Sequence, residues 1–208
     1  MRTRIKICGL TRIEDVHDAV SAGADAIGFV FYPPSPRSLS IEQARELVRH
    51  VPPFVTSVGL FVNEDPARVR QVLDQVPLGM LQFHGEEDDG YGASFGRPWM
   101  KAARVRAGFD LLDYAARFPS ACGVLVDAWV DGYGGGGEVF DWTLLPQDFS
   151  VPLVLAGGLT PANVASAVAQ VRPWAVDVSS GVEVAKGIKA RALMEAFVAG
   201  VRKADGRE

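Results

Sequence analysis

The stretch "LVLAGGLTPANV", residues 153–164, begins as an apolar run, breaks at Gly157-Gly158 and resumes with the helix-start signal Thr160-Pro161. Two adjacent glycines between a strand and a helix serve either a turn that other residues cannot make or a ligand that must approach the backbone. Outward from this stretch, short apolar runs alternate with longer amphipathic segments along the whole chain. The runs are "IKIC" (5–8), "AIGFVF" (26–31), "TSVGLF" (56–61), "MLQFH" (80–84), "WMKAAR" (99–104), "GVLVD" (123–127), "LVLAG" (153–157) and "AVDVS" (175–179). Most are apolar on consecutive positions, the pattern of parallel strands covered on both faces. Thr11 with Glu14 and Ser40 with Gln43 have capping-box spacing, and Asp65-Pro66 repeats the cap-then-proline signal of Thr160-Pro161. The pattern predicts helices over 12–21, 41–50, 66–75, 110–118, 161–170 and 189–202, with weaker segments at 87–95 and 141–146.

Eight such units, with no long linker or low-complexity insert, predict an α/β fold: a single-domain (β/α)8 TIM barrel over residues 1–208. That length is near the lower limit of about 200 residues for the architecture. An open doubly wound sheet is the alternative, and it follows if the polar run "WMKAAR" is not a strand. The composition is that of a folded globular chain, with 48% hydrophobic and 22% charged residues. The net charge of −4 and the lack of a basic stripe give no support for a nucleic-acid or anionic-membrane partner. No apolar run approaches the roughly 20 residues of a membrane span, and the N-terminus lacks the apolar centre of a signal peptide. A cytoplasmic location is expected, as monomer or homodimer.

In a barrel, functional groups lie at the C-terminal ends of the strands. Those positions hold Cys8, Arg37, His84, Asp127, Gly157-Gly158, and Asp177 followed by Ser179-Ser180-Gly181. The glycine pair exposes backbone amides ahead of a helix, "SSGVE" adds two hydroxyls and another amide, and phosphate sites in this architecture often sit between the last two loops. The two turns therefore read as an anion site, the plainer alternative being glycines needed for turn geometry alone. Cys8 is either a small buried hydrophobe or a thiol facing substrate from the end of the first strand. Cys122 precedes the sixth strand, about 15 Å from Cys8 at the other end of the barrel, too far for a disulfide. Asp127 closes an apolar strand, where a carboxylate is costly to bury unless paired or protonated, so it is a candidate acid or a strand-exit ion pair. Arg37 sits in the proline-stiffened loop "YPPSPRS" and either meets a carboxylate or faces solvent. His84 reads first as a structural histidine. Gly132, Gly134 and Gly137 match G-x-G-x-x-G but do not follow a strand directly or open a long helix, so a mobile loop over the pocket fits better than a dinucleotide site.

Seven blocks in order, "KICGLT" (6–11), "GFVFYPPSPRS" (28–38), "QFHG" (82–85), "LVDA" (125–128), "FDW" (140–142), "LAGGLTPANV" (155–164) and "VDVSSGVE" (176–183), resemble the phosphoribosylanthranilate isomerase family of tryptophan biosynthesis. The resemblance implies a (β/α)8 barrel, no cofactor, no metal, and the Amadori rearrangement of N-(5-phosphoribosyl)anthranilate to 1-(2-carboxyphenylamino)-1-deoxyribulose 5-phosphate. It further implies Cys8 as general base and Asp127 as general acid. Gly157, Gly158, Ser180 and Gly181 would be the phosphate clamp, Arg37 the partner of the anthranilate carboxylate, Asp177 a ribose-hydroxyl contact, and His84 a further contact. For acid-base work near neutral pH, the thiol has to titrate below its free value and the carboxyl above it. The chain departs from the family pattern at "GGGGEVFDW", where the family's Gly-Gly-Thr-Gly threonine is missing, and at Lys186 and Ala190, where the family often has proline and aspartate. The rival readings are another phosphate-binding barrel enzyme, such as a sugar-phosphate epimerase, an indole-glycerol-phosphate synthase or the histidine-pathway isomerase, and a non-catalytic phosphate-binding module.

Overall fold

A computed structural model describes residues 2–128, 141–146 and 149–206. Eight parallel strands close into a barrel in sequence order: β1 (Arg4–Cys8), β2 (Ala26–Val30), β3 (Thr56–Phe61), β4 (Met80–Phe83), β5 (Trp99–Val105), β6 (Gly123–Ala128), β7 (Leu153–Leu155) and β8 (Ala175–Val178). The seam is the β1–β8 ladder, in register from Arg4 opposite Ala175 to Ile7 opposite Val178. The polar run "WMKAAR" is a full strand bonded to both β4 and β6, which excludes the open sheet. Met100 and Ala102 of that strand pack inside the barrel with Val58, Leu125 and Val154, while Trp99 and Ala103 join the core beneath the helices. Alternation along one strand thus fills both cores.

The outer layer consists of α1 (Ile13–Ala22), α2 (Ile41–Val48), α3 (Pro66–Gln75), α4 (Asp89–Ala93), α5 (Leu111–Ala116), α6 (Val164–Val171) and α7 (Arg191–Ala204). Between β6 and β7 the described residues hold only a 3-10 turn, Trp142–Leu144, where a weak helix is predicted. Two of the four helix-start signals act as their sequence predicts. Ser40 and Gln43 form a reciprocal capping box, and Asp65 accepts from the Ala67 amide ahead of Pro66. Of the other two, one serves tertiary structure and the other is taken over locally by Asn163. The Thr11 hydroxyl donates to the Gly187 carbonyl at 2.6 Å and leaves α1 uncapped by a side chain. Residues 161–163 form a turn, and α6 starts only at Val164 with Asn163 as its N-cap. A short antiparallel hairpin of β9 (Glu183–Ala185) and β10 (Ile188–Lys189) connects the last barrel turn to α7. None of the described helices is long and apolar enough to cross a membrane.

The loops after β3 and β4 are tied together by a buried charge. Lys101 donates to the Gly85 carbonyl at 2.6 Å and to Glu87 Oε2 at 2.8 Å. The same carboxylate accepts from the amides of Asn63 at 2.6 Å and Gly85 at 2.8 Å. Removing one member leaves its partner's charge buried and unpaired. Glu87→Ala is therefore expected to lower the free energy of unfolding by about 3–5 kcal/mol, read as a lower urea midpoint with an unchanged slope.

Candidate active site

The C-terminal ends of the strands surround one pocket, lined by Cys8, Tyr32, Arg37, Gln82, His84, Asp127, Gly157, Gly158, Asp177, Ser179 and Ser180 among others. Every site residue expected from the sequence lines it except Gly181. A Cβ on Gly181 would lie 1.9 Å from the Leu159 carbonyl, so this glycine lets the last two loops touch each other. A larger hollow of about 790 Å³ opens at the other end of the barrel, beside Phe149, Trp174 and Asp205, and contains none of these residues. In this architecture that end carries stability and the C-terminal end carries chemistry.

The glycine pair that interrupts residues 153–164 is needed for the turn and, at Gly157, for the close approach of the neighbouring strand. Gly157 and Gly158 have φ of +80° and +62°, a region other residues enter only with strain. A Cβ on Gly157 would also lie 2.5 Å from the Ala128 amide and 2.8 Å from Asp127 Oδ1, so the second demand is room for Asp127. Asn163 fixes the turn from below: its Oδ1 accepts from the Thr160 amide at 2.8 Å, and its Nδ2 donates to the Gly158 carbonyl at 2.9 Å. Gly28 plays the matching part on β2, where a Cβ would lie 2.6 Å from Cys8 Sγ. Sequence reasoning assigned roles to neither Asn163 nor Gly28. The signal available for Gly28 was a glycine inside an otherwise apolar strand, which marks close approach.

Charge organises the pocket floor. Lys6 points inward from β1 two residues before Cys8, and its ammonium donates to both carboxylate oxygens of Asp177 at 2.9 Å. Their side chains are 4% and 9% exposed. Burial works against the Lys6 charge, yet Asp177 and then Cys8 more than offset it and hold the ammonium above its usual range. Arg37 is only 12% exposed and grips Glu183 with two bonds, Nε to Oε1 and Nη2 to Oε2, both 2.7 Å. Glu183 also accepts from Lys189 at 2.8 Å, and Lys189 donates to the Ser179 carbonyl at 3.0 Å, so this network braces the turn after β8. Lys6, Gln82, Glu183 and Lys189 were not singled out from the sequence. The first three lie inside quoted motifs, but nothing in one sequence distinguishes a buried ion from a solvated one.

Cys8 and Asp127 both titrate above their ordinary values. Burial pushes the Cys8 thiol up, against the nearby Lys6 charge, which pulls it down. The sequence-based expectation was a thiol moved down toward neutrality; desolvation outweighs the cation and reverses the direction. Burial likewise raises Asp127 to about 6, opposed by its bond from the Ala128 amide at 2.8 Å. His84 sits with Nε2 at 3.6 Å from Asp127 Oδ2, too long for a hydrogen bond. Burial, then the Lys6 charge, lowers it to about 4, so the ring is neutral near pH 7 and forms no ion pair with Asp127. Cys122 is a free thiol at the opposite strand end, bonded to the Trp99 carbonyl at 3.1 Å, with no part in the site.

Because Asp127 holds its proton to about pH 6 when folded, against an ordinary value of 3.8, the unfolded chain binds fewer protons between these values. Stability contributed by this group is therefore full below about pH 4 and falls as pH rises to about 6. Asp127→Asn is expected to stabilise the fold at pH 7 by about 1–3 kcal/mol, a gain that disappears at pH 4 in paired urea titrations.

A profile of the family described as N-(5'-phosphoribosyl)anthranilate (PRA) isomerase matches residues 5–200. A relative named N-(5'-phosphoribosyl)anthranilate isomerase from Dechloromonas aromatica is 62% identical over 205 residues, covering 99% of each chain. The solved phosphoribosyl anthranilate isomerase of Thermotoga maritima superposes with a TM-score of 0.88 at 42% identity, over 98% of this chain and 99% of that one. A further structure of such an enzyme, in complex with reduced 1-(o-carboxyphenylamino)-1-deoxyribulose 5-phosphate, superposes with a TM-score of 0.81 at 39% identity, over 98% and 99%. With a closed eight-stranded barrel, a pocket assembled from the expected strand ends and this likeness along nearly the full chain, the protein belongs to the N-(5'-phosphoribosyl)anthranilate isomerase family.

Proposed function

We propose that this enzyme carries out the Amadori rearrangement of N-(5'-phosphoribosyl)anthranilate with Asp127 as general acid and Cys8 as general base. The observation that carries the assignment is their placement in one pocket, Cys8 ending β1 and Asp127 near the end of β6, with the turns after β7 and β8 between them. A sugar lying across this mouth meets an acid and a base at the same time. A non-catalytic phosphate-binding module would need neither.

The steps follow from the protonation states. The Asp127 carboxyl, raised by burial, gives its proton to the furanose ring oxygen. The C1–O bond breaks as the anthranilate nitrogen lone pair forms the C1=N iminium. The Cys8 thiolate then takes the C2 proton, and the C2–H electron pair becomes the C1=C2 bond while the iminium nitrogen recovers its lone pair. Loss of the enol proton from O2 and gain of a proton at C1 leave the C2 ketone. Electrons move only within the substrate, so the reading assigns no cofactor and no metal. The state that reacts is thiolate with carboxylic acid, whereas near pH 7 a thiol raised above 9.0 and a carboxyl titrating at about 6 rest as thiol with carboxylate, so only a minority of molecules is poised at any moment.

The remaining candidates fall into place around that pair. Gly157, Gly158, Ser180 and Gly181 hold the phosphate through backbone amides and the Ser180 hydroxyl, at a turn pair whose glycines allow close approach. Arg37 meets the anthranilate carboxylate through Nη1, the guanidinium nitrogen that Glu183 leaves unused. Asp177 accepts a ribose hydroxyl while bound to Lys6, since a carboxylate has lone pairs to spare. The neutral His84 offers a hydrogen bond beside Asp127 without a charge that would strip the proton from the acid.

Turnover of N-(5'-phosphoribosyl)anthranilate, followed as loss of its fluorescence, is expected for the wild type. Cys8→Ser and Asp127→Asn should each lower kcat at least about a hundredfold, with reduced product still bound. Near-normal turnover by either variant would remove that residue from its role.

A further inference from the structure

Lys6 has no part in the chemistry so far. Among the described residues it is the cation that acts most strongly on Cys8, 3% exposed and fixed by two bonds to Asp177. An ammonium carries three donors, and Asp177 occupies two of them. The third is left on the side of β1 where Cys8 also points, two residues further along the strand. We propose that Lys6 is a positioning residue for the reaction: its buried ammonium, held in place by Asp177, stabilises the thiolate form of Cys8. This inference rests on the reading of Cys8 as the base.

The other charges that reach Cys8 do not replace it. Asp177 on β8 opposes thiolate formation, yet it is held by the ammonium and acts less strongly on the sulfur than Lys6 does. Lys189 on β10 acts more weakly still and directs its donors to Ser179 and Glu183. Arg37, from the loop after β2, is committed to Glu183. Across the pocket, His84 is neutral and Asp127 favours its protonated form up to about pH 6. The pair therefore acts as a fixed dipole with its positive end toward the sulfur. In a pocket that excludes water, such a dipole needs no reorganisation when the thiolate forms. An arrangement serving only stability would be replaceable by apolar side chains of similar volume.

The test is a substrate-free titration of Cys8 by ultraviolet thiolate absorbance in a Cys122→Ser background, with kcat/KM measured alongside. Lys6→Met is expected to move the Cys8 midpoint upward by about one pH unit or more and to lower kcat/KM at neutral pH about tenfold or more. Asp177→Asn, which leaves the cation without its counter-ion, is expected to move the midpoint downward. Opposite shifts from the two halves of one pair are not produced by loss of packing. If either single variant fails to fold, Lys6→Met with Asp177→Asn leaves no unpaired buried ion and should still raise the midpoint, because Lys6 is the stronger influence. An unchanged or lowered midpoint in a folded Lys6→Met protein, or an unchanged one in the double variant, overturns the proposal. The titration needs no turnover, so its failure and loss of the Cys8 assignment, read from Cys8→Ser, are separate results.

Discussion

Lys6 and Asp177 face each other across the seam that closes the barrel, shut away from water with Cys8 beside them and Asp127 across the mouth. Groups that titrate in a solvated cleft would keep near their free values, and the thiol would then be a poor base and the carboxyl fully ionised. Burial changes both in one direction, upward, which suits Asp127 as the proposed acid and works against Cys8 as the proposed base. The cation on the floor is the counterweight. The site is thus a compromise in which one desolvated pocket serves two groups with opposite needs, and stability is given up to keep a carboxyl where its ionisation is unfavourable.

Close packing of backbone around those groups makes the compromise feasible. Gly28 leaves space for the Cys8 sulfur, Gly157 for the Asp127 carboxylate, and Gly181 for the loop that precedes α6. A methyl group at any of these positions would push Cys8, Asp127 or the turn before α6 out of place. Behind the turns, polar braces do the holding: Asn163 under Gly158, Lys189 and Glu183 under Ser179 and Arg37, and Glu87 with Lys101 under the loop carrying His84. The residues that line the pocket are therefore held from behind, by a second layer of buried charge and amide bonds.

Strand and helix alternation was legible because consecutive apolar runs and cap-proline signals are local. So was the position of the site, since strand ends follow once the barrel is counted. "WMKAAR" was the uncertain strand, and its polar members are explained only by partners distant in sequence: Lys101 needs Glu87 and Arg104 meets Glu86. Thr11 reads as a cap because nothing local reveals that Gly187 claims its hydroxyl, whereas the Thr160 signal is displaced by Asn163, three residues on, which takes the Thr160 amide and is itself the N-cap of α6. The direction of the Cys8 shift was misread for a similar reason. A sequence shows the neighbouring cation but not the depth of burial that outweighs it. Gly132, Gly134 and Gly137, together with the predicted mobile loop, lie outside the described residues.

Turnover by the proposed route requires a protonated Asp127 and an ionised Cys8 in the same molecule. The dependence of kcat/KM on pH in the wild-type enzyme tests it most directly. The expected profile is a bell whose lower limb lies near 6, where Asp127 titrates, and whose upper limb lies above the ordinary thiol value of 9.0. A profile that climbs steadily and levels off only where the thiol ionises would show that the carboxyl proton is not needed, and would contradict it.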